Sequence, residues 1–129
     1  MSDLAIRREL SGSIDQILPR LELALKAAGF GVLTRIDFDQ KIKEKLGQVI
    51  PRTVILGACN PKLAFDAFQQ TTDVALLIPC NVVIRDIGPN SVIIEAMRPT
   101  KMLDMLPAIK ADSSIEEAEN RLAEAMESL

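Results

Sequence analysis

The segment 74–97, VALLIPCNVVIRDIGPNSVIIEAM, decides the fold of this chain. Val74–Arg85 is almost entirely apolar, and Ser91–Met97 is apolar again after the turn Gly88-Pro89-Asn90. Two such runs joined by a short turn rich in Gly, Pro and Asn predict an antiparallel β-hairpin. The first run also predicts a central strand covered on both faces. Pro79 lies within it and lacks a backbone N–H, so we expect a bulge or a free edge there.

Outward from this hairpin, the chain alternates between strand and helix patterns. Apolar and polar residues alternate over Phe30–Phe38, which predicts a strand with one well-buried face. The other predicted elements are strands over Leu4–Leu10 and Thr53–Ala58, a helix over 14–28, a helix over Gln40–Leu46 with Ile42 and Leu46 facing inward, a helix over Pro61–Gln70, a short helix over Thr100–Leu106 and a last helix opened by Ser113 or Ser114. The order β-α-β-α-β-α-β-β-α favours an α+β two-layer sandwich, with helices on one face of a mostly antiparallel sheet, and a single domain over residues 1–129.

Two helix starts carry a clear signal. Ser13 with Gln16 three residues later has the form of a capping box. Pro19 lies well inside that first helix, so we expect a kink there or a helix that begins near Pro19. Asn60-Pro61 opens the third helix, because Asn is a preferred N-cap and Pro is favoured at the first helical position.

Composition narrows the class of protein. The chain has 129 residues, of which 48% are hydrophobic, so it can fold around its own core. The net charge is −3, the basic residues form no cluster and aromatics are only 3%, which argues against nucleic-acid binding. No apolar run approaches the roughly 20 residues that a membrane-spanning helix needs. The first ten residues lack the apolar core of a secretory signal, and two cysteines make no disulfide framework, so we expect a cytoplasmic protein with reduced thiols.

Apolar residues are predicted on both faces of the sheet. The apolar residues Val92, Ile94, Val83 and Leu77 indicate that both faces carry apolar positions, and the chain has few helices to cover two faces. We therefore expect a homodimer in which a second copy covers the free face. The alternative is that the C-terminal helix covers that face within one chain.

Two Cys-Asn pairs are the candidate site. Cys59 and Asn60 lie at a strand-to-helix turn, and Cys80 and Asn81 lie in the most apolar strand. If these strands are neighbours, the pairs converge on one pocket. A helix N-terminus lowers the pKa of a nearby thiol, whereas burial of Cys80 would raise its pKa. The alternative is that both cysteines are small buried hydrophobic residues.

Other chemistry has little support. The chain has no histidine, so a Ser-His-Asp or Cys-His arrangement is impossible within it, and no metal site is predicted. Two thiolates would suit Cu(I), and a dimer axis would turn two cysteines into four. Arg35 and Asp37 lie on the same side of a strand and are expected to pair. Asp37 or Glu95 would serve as a general base only if desolvated, and a surface ion pair is the alternative.

Four blocks in order resemble the domain of unknown function 302 family. They are GFGVLTRID at 29–37, KEKLG at 43–47, ILGACNPKLA at 55–64 and LLIPCNVV at 76–83. The resemblance implies a small α+β sandwich, with members that form homodimers, and no established activity. The family's most characteristic residues are matched by Cys59, Asn60, Pro61, Pro79, Cys80 and Asn81. Pro19 departs from the family pattern.

Three functional hypotheses follow. The first is a domain that binds a small ligand or ion in a pocket lined by Cys59, Asn60, Cys80 and Asn81, with Arg35 and Asp37 as further candidates. The second is thiol redox chemistry or sulfur transfer at Cys59, with Cys80 as the resolving thiol. The third is a structural, homodimeric interaction module. The sequence names no cofactor and leaves open whether the chain is an enzyme.

Overall fold

The computed structural model describes residues 3–110 and 113–129. Its strands are β1 (Ala5–Ser11), β2 (Gly31–Asp37), β3 (Thr53–Cys59), β4 (Cys80–Gly88) and β5 (Ser91–Met97). Its α-helices are α1 (Ile14–Ala27), α2 (Phe38–Leu46), α3 (Pro61–Gln70), α4 (Pro99–Asp104) and α5 (Ser113–Glu127), and a short 3₁₀ helix spans Thr72–Leu76. The element order agrees with the predicted one.

The strands form one sheet in the order β1-β5-β4-β3-β2, and every neighbouring pair is antiparallel. The predicted hairpin is confirmed as β4 and β5, with Ile84 opposite Ile94. The first strand of the chain pairs with the last. Strands β1 and β2 stand at the two ends of the order and are therefore the edge strands of the sheet. The α+β class with an antiparallel sheet is confirmed.

The hydrophobic core lies between one face of this sheet and the helices α1 and α5. The capping box at Ser13 is confirmed, since the Ser13 hydroxyl accepts from the Gln16 N–H and the Gln16 side chain accepts from the Ser13 N–H. The main core cluster contains residues of α1, of α5 and of the three central strands, among them Leu21, Leu25, Leu56, Ile84, Ile94, Leu122 and Met126. Because α5 packs on the same face as α1, the alternative that the C-terminal helix covers the other face is wrong.

The other face of the sheet is here called the open face. Its residues alternate along the strands with those of the core, and they include Arg7, Arg85 and Glu95. Glu95 accepts hydrogen bonds from Arg7 at 2.8 Å and from Arg85 at 3.3 Å. Partial burial opposes ionisation of Glu95, but these two guanidinium groups outweigh it and lower the pKa of the carboxyl group. That a second copy covers this face stays a prediction, which a solution molar mass by light scattering tests.

Two predicted burial patterns are wrong. Strand β2 has no buried face, because it lies at the sheet edge and its alternation is broken by an irregularity between Val32 and Thr34. Helix α2 buries none of its residues, and Leu46 is 67% exposed. Nor does Pro19 delay the first helix, which already begins at Ile14. Alternation and helical spacing identify a face but not whether anything covers it.

The apolar run 74–85 is not one strand. Residues Thr72–Leu76 form a 3₁₀ turn, opened by the Thr71 hydroxyl, which accepts from the Asp73 N–H at 3.2 Å. Strand β4 begins only at Cys80, directly after Pro79. Proline has no N–H for the ladder, so the strand starts beyond it rather than bulging around it.

None of the helices in the described part of the chain is long and apolar enough to cross a membrane.

Candidate functional site

The two cysteines lie at the same end of the sheet. Cys59 is the last residue of β3 and Cys80 is the first residue of β4. These strands are antiparallel neighbours, and Ala58 lies directly opposite Cys80. Strand adjacency, on which the idea of a shared pocket depended, is therefore present in the fold.

Asn60 ends β3 and starts α3. Its side-chain oxygen accepts from the Leu63 N–H at 3.2 Å, so the predicted N-cap is confirmed, with Pro61 in the first turn. The cap fixes the angle at which α3 leaves the sheet. As a result, the inner side of α3, with Leu63, Ala64 and Ala67, forms one wall of a cavity at the end of the sheet.

This sulfur-lined cavity has a volume of about 70 Å³. A single water needs roughly 10–15 Å³ on such a measure, so the cavity admits several waters or a small molecule. It lies among the ends of β3 and β4, helices α3 and α4, the 3₁₀ turn and the start of α5, and its described lining carries no charged side chain. The lining residues are Phe30, Ala58, Cys59, Asn60, Leu63, Ala64, Ala67, Val74, Ile78, Cys80, Pro99, Met102, Leu103, Ile109 and Ile115.

Three of the six sequence-predicted site residues are among the residues that line this cavity, namely Cys59, Asn60 and Cys80. Asn81 is not among them, because it points to the opposite side of β4 from Cys80 and lies across from Gly57. Arg35 and Asp37 are also elsewhere. They form the expected ion pair, at 3.1 Å, on the edge strand β2. The pocket that was predicted with four Cys and Asn residues thus contains three of them.

Sequence reasoning missed two contributors. Met102 of α4 brings a thioether into the same cavity, and nothing in its spacing marks it. Gly57 packs against Pro79: a Cβ at Gly57 would lie 2.5 Å from the Pro79 Cγ and 2.2 Å from the Thr34 Oγ1. The bare backbone of Gly57 therefore lets Pro79 approach, and Pro79 places Cys80 at the start of β4. The need for glycine at position 57 could have been predicted from the sequence, because an isolated Gly in a strand indicates that another group approaches the backbone closely.

Burial sets the chemistry of the thiols. Burial raises the pKa of Cys59, and it raises the pKa of Cys80 to about 11, with a further contribution from the charge of Cys59. The expected rise at Cys80 is confirmed, whereas the pKa of Cys59 is raised by burial and not lowered. Both thiols are thus protonated at neutral pH, which disfavours their acting as free nucleophiles. The described residues contain no group of three His, Cys, Asp or Glu side chains suited to a metal ion.

Alkylation by iodoacetamide is expected to be slow in the folded chain at pH 7. With a pKa of about 11, only about one Cys80 thiol in ten thousand is ionised there. Labelling should rise about tenfold per pH unit, since only the thiolate reacts. Mass spectrometry of samples labelled between pH 7 and 9 should find Cys59 modified before Cys80. Rapid labelling of Cys80 at pH 7, at the rate seen in urea, would show that its thiol is not sequestered.

Fold and cavity together define a class: small α+β domains with a five-stranded antiparallel sheet and a cavity bordered by thiols at one sheet end. The chain belongs to the family described as Domain of unknown function DUF302, whose model matches residues 6–129. It is similar to the crystal structure of an uncharacterized conserved DUF302 protein from Bacillus stearothermophilus, with a TM-score of 0.81 and 28% identity over 98% of each chain. A comparison with curated proteins gives no match. The resemblance seen in the four sequence blocks is confirmed, and it supports the fold but assigns no activity.

Proposed function

We propose that this chain is a binding domain that holds a small ligand or ion in the sulfur-lined cavity. The observation that carries the proposal is that Cys59, Asn60 and Cys80 line one cavity whose other lining residues are apolar. Ligand sites in proteins combine such apolar walls with a few placed polar groups. Here the lining residues that carry polar groups are Cys59, Cys80 and Asn60, and the Asn60 side-chain oxygen is engaged by the α3 cap.

Catalysis has less support than binding. Both thiols are held in their protonated form by burial, which raises the pKa of each. The described lining offers no acid or base besides them. Glu95, considered as a general base, lies on the open face between Arg7 and Arg85 and is not part of the cavity. The domain is therefore better suited to retaining a molecule than to converting it.

Thiol redox chemistry is the second candidate function. The observation in its favour is that Cys59 and Cys80 border the same cavity, as a thiol and its resolving partner must. Against it stand the raised pKa values, because attack on a disulfide needs a thiolate. The alkylation profile described above separates the two candidates.

Filling the cavity is expected to abolish binding. Ala64 lies on α3 and lines the cavity, so Ala64→Leu places three extra carbons in a space of about 70 Å³. Amide NMR spectra of the full chain, titrated with xenon as a small apolar probe and then with a panel of metabolites and metal ions, should show shifts at the lining residues. Those shifts should disappear in Ala64→Leu.

Ala27→Leu is the matched control, because Ala27 is exposed near the end of α1 and does not line the cavity. It should bind as the unchanged chain does. A panel in which no member moves the lining resonances would overturn the proposed function. So would shifts that persist unchanged in Ala64→Leu.

A further inference from the structure

The described walls of the sulfur-lined cavity carry no charge. Apart from Cys59, Asn60 and Cys80, every described residue that lines it is apolar. A charged molecule loses its hydration on entering such a space, and it recovers that loss only where the walls supply an opposite charge and hydrogen bonds. The described walls contain no Asp, Glu, Lys or Arg, and the Asn60 side-chain oxygen is already engaged by the Leu63 N–H. The lining therefore disfavours ions of either sign and favours uncharged molecules.

The size of the cavity limits which uncharged molecules fit. Its volume of about 70 Å³ is about half of the roughly 150 Å³ in which an engineered apolar cavity binds benzene. Benzene has six heavy atoms, so this cavity has room for about three or four. The described walls are mainly aliphatic, with Phe30 as their single aromatic side chain. A short aliphatic group fits this space, whereas an aromatic ring is too large for it.

The cavity lies between two apolar clusters of the chain. The main core cluster contributes Phe30 and Ala58 to its lining. A second, smaller cluster is formed by Val74, Leu106 and Ile109, and it contributes Val74 and Ile109. A molecule in the cavity thus contacts side chains of both clusters. It supplies packing contacts that the two clusters lack at this point, and apolar atoms supply them best.

We propose that the sulfur-lined cavity binds an uncharged aliphatic group of about three or four heavy atoms. The group is either a free small molecule or the end of a longer aliphatic chain whose remainder stays outside. This inference rests on the proposed function, because it names the class of ligand that the same cavity takes. It narrows the small ligand or ion of that proposal to uncharged, aliphatic molecules. Binding involves no covalent or redox step.

Three planar probes of equal size separate charge from shape. Acetone, acetate and guanidinium have the same number of heavy atoms, and they are neutral, negative and positive at pH 7. Amide NMR spectra of the full chain, titrated with acetone, should show saturable shifts at the lining residues in the millimolar range, as the ligand's size allows. Acetate and guanidinium should bind at least about 100-fold more weakly, because the described walls offer neither of them an opposite charge.

A series of 1-alkanols measures how much of the ligand the cavity holds. From methanol to 1-propanol, the affinity should rise about fourfold for each added methylene group, as burial of apolar surface requires. A rise that ends at 1-propanol assigns the cavity to a free small molecule. A rise that continues to 1-octanol assigns it to the end of a longer chain.

Ile109→Ala tests the size limit, because it removes three carbons from the cavity wall. Benzene should shift the lining resonances in this variant and not in the unchanged chain. Ile93→Ala is the matched control, since Ile93 is also buried but lies on the open face and does not line the cavity. Folding of each variant is checked by circular dichroism, and Val74→Ala serves as a second enlarging variant if Ile109→Ala fails to fold.

The inference is overturned if acetate or guanidinium binds as tightly as acetone, or if benzene shifts the lining resonances of the unchanged chain as it does those of Ile109→Ala. A metal ion or charged metabolite that shifts the lining resonances, where acetone and the alkanols do not, would overturn this inference and leave the proposed function standing. Absence of shifts with every probe would overturn both.

Discussion

Replacing Gly57 by alanine is expected to destabilise the chain by about 3 kcal/mol, the upper part of the range for overpacking a well-filled site. The new Cβ would lie 2.5 Å from the Pro79 Cγ and 2.2 Å from the Thr34 Oγ1. Thr34 is exposed on the edge strand and can turn its side chain away, but the Pro79 ring has no such freedom. Relieving the clash with the new Cβ therefore requires Pro79, and Cys80 after it, to move.

Gly88→Ala is the control for this substitution. A Cβ at Gly88 has no atom within 4 Å, and its backbone is not in the left-handed region. The control should be neutral or more stable by up to about 1 kcal/mol, because alanine restricts the unfolded chain. Urea unfolding of both variants gives the comparison. Equal stability of Gly57→Ala and Gly88→Ala would show that the contact between Gly57 and Pro79 is not tight.

Leu122→Ala is expected to lower the free energy of unfolding by about 3 kcal/mol, within the range of 2–5 kcal/mol for buried Leu→Ala changes. Leu122 is 1% exposed and packs in the main core cluster, which α5 shares with α1 and the central strands. The substitution leaves a cavity between α5 and the sheet. The measurement is the midpoint of urea unfolding at an unchanged slope.

Leu46→Ala makes the same chemical change on α2 and serves as the control. Helical spacing predicted that Leu46 faces inward, but it is 67% exposed. Its replacement should therefore change stability by less than about 0.5 kcal/mol. If Leu46→Ala lowered the free energy of unfolding as much as Leu122→Ala does, then α2, and not α5 alone, would cover part of the core.

The sequence predicts those features of the fold that local chemistry determines. The sequence predicts helix starts at Asn60-Pro61 and at Ser13 with Gln16, and the structure confirms both. These starts are predictable because a cap satisfies backbone groups within one turn. The turn 88–90 gives the hairpin of β4 and β5 for the same local reason. Burial is different, because it depends on what packs from elsewhere in the chain. Strand β2 has a buried-strand pattern and yet lies exposed at the sheet edge.

The candidate site was predicted in part. Cys59 and Cys80 stand out in sequence because each precedes an asparagine, and both line one cavity because β3 and β4 are neighbours. Strand order is a property of the whole sheet, so a shared pocket could be predicted only on the condition that these two strands are neighbours. Met102 was beyond such reasoning, because no spacing rule links α4 to a cavity at the end of β3. Asn81 was misplaced because the strand turns it away from Cys80.

The central claim is that Cys59 and Cys80 face one cavity. Dibromobimane tests it most directly, because this reagent becomes fluorescent only when both of its arms have reacted with thiols. On the folded, reduced chain at pH 9, the account predicts a fluorescent product with the mass of one chain and one reagent bound through both thiols, and no such product from Cys59→Ser or Cys80→Ser. Separate, non-fluorescent labelling of each cysteine would contradict the claim.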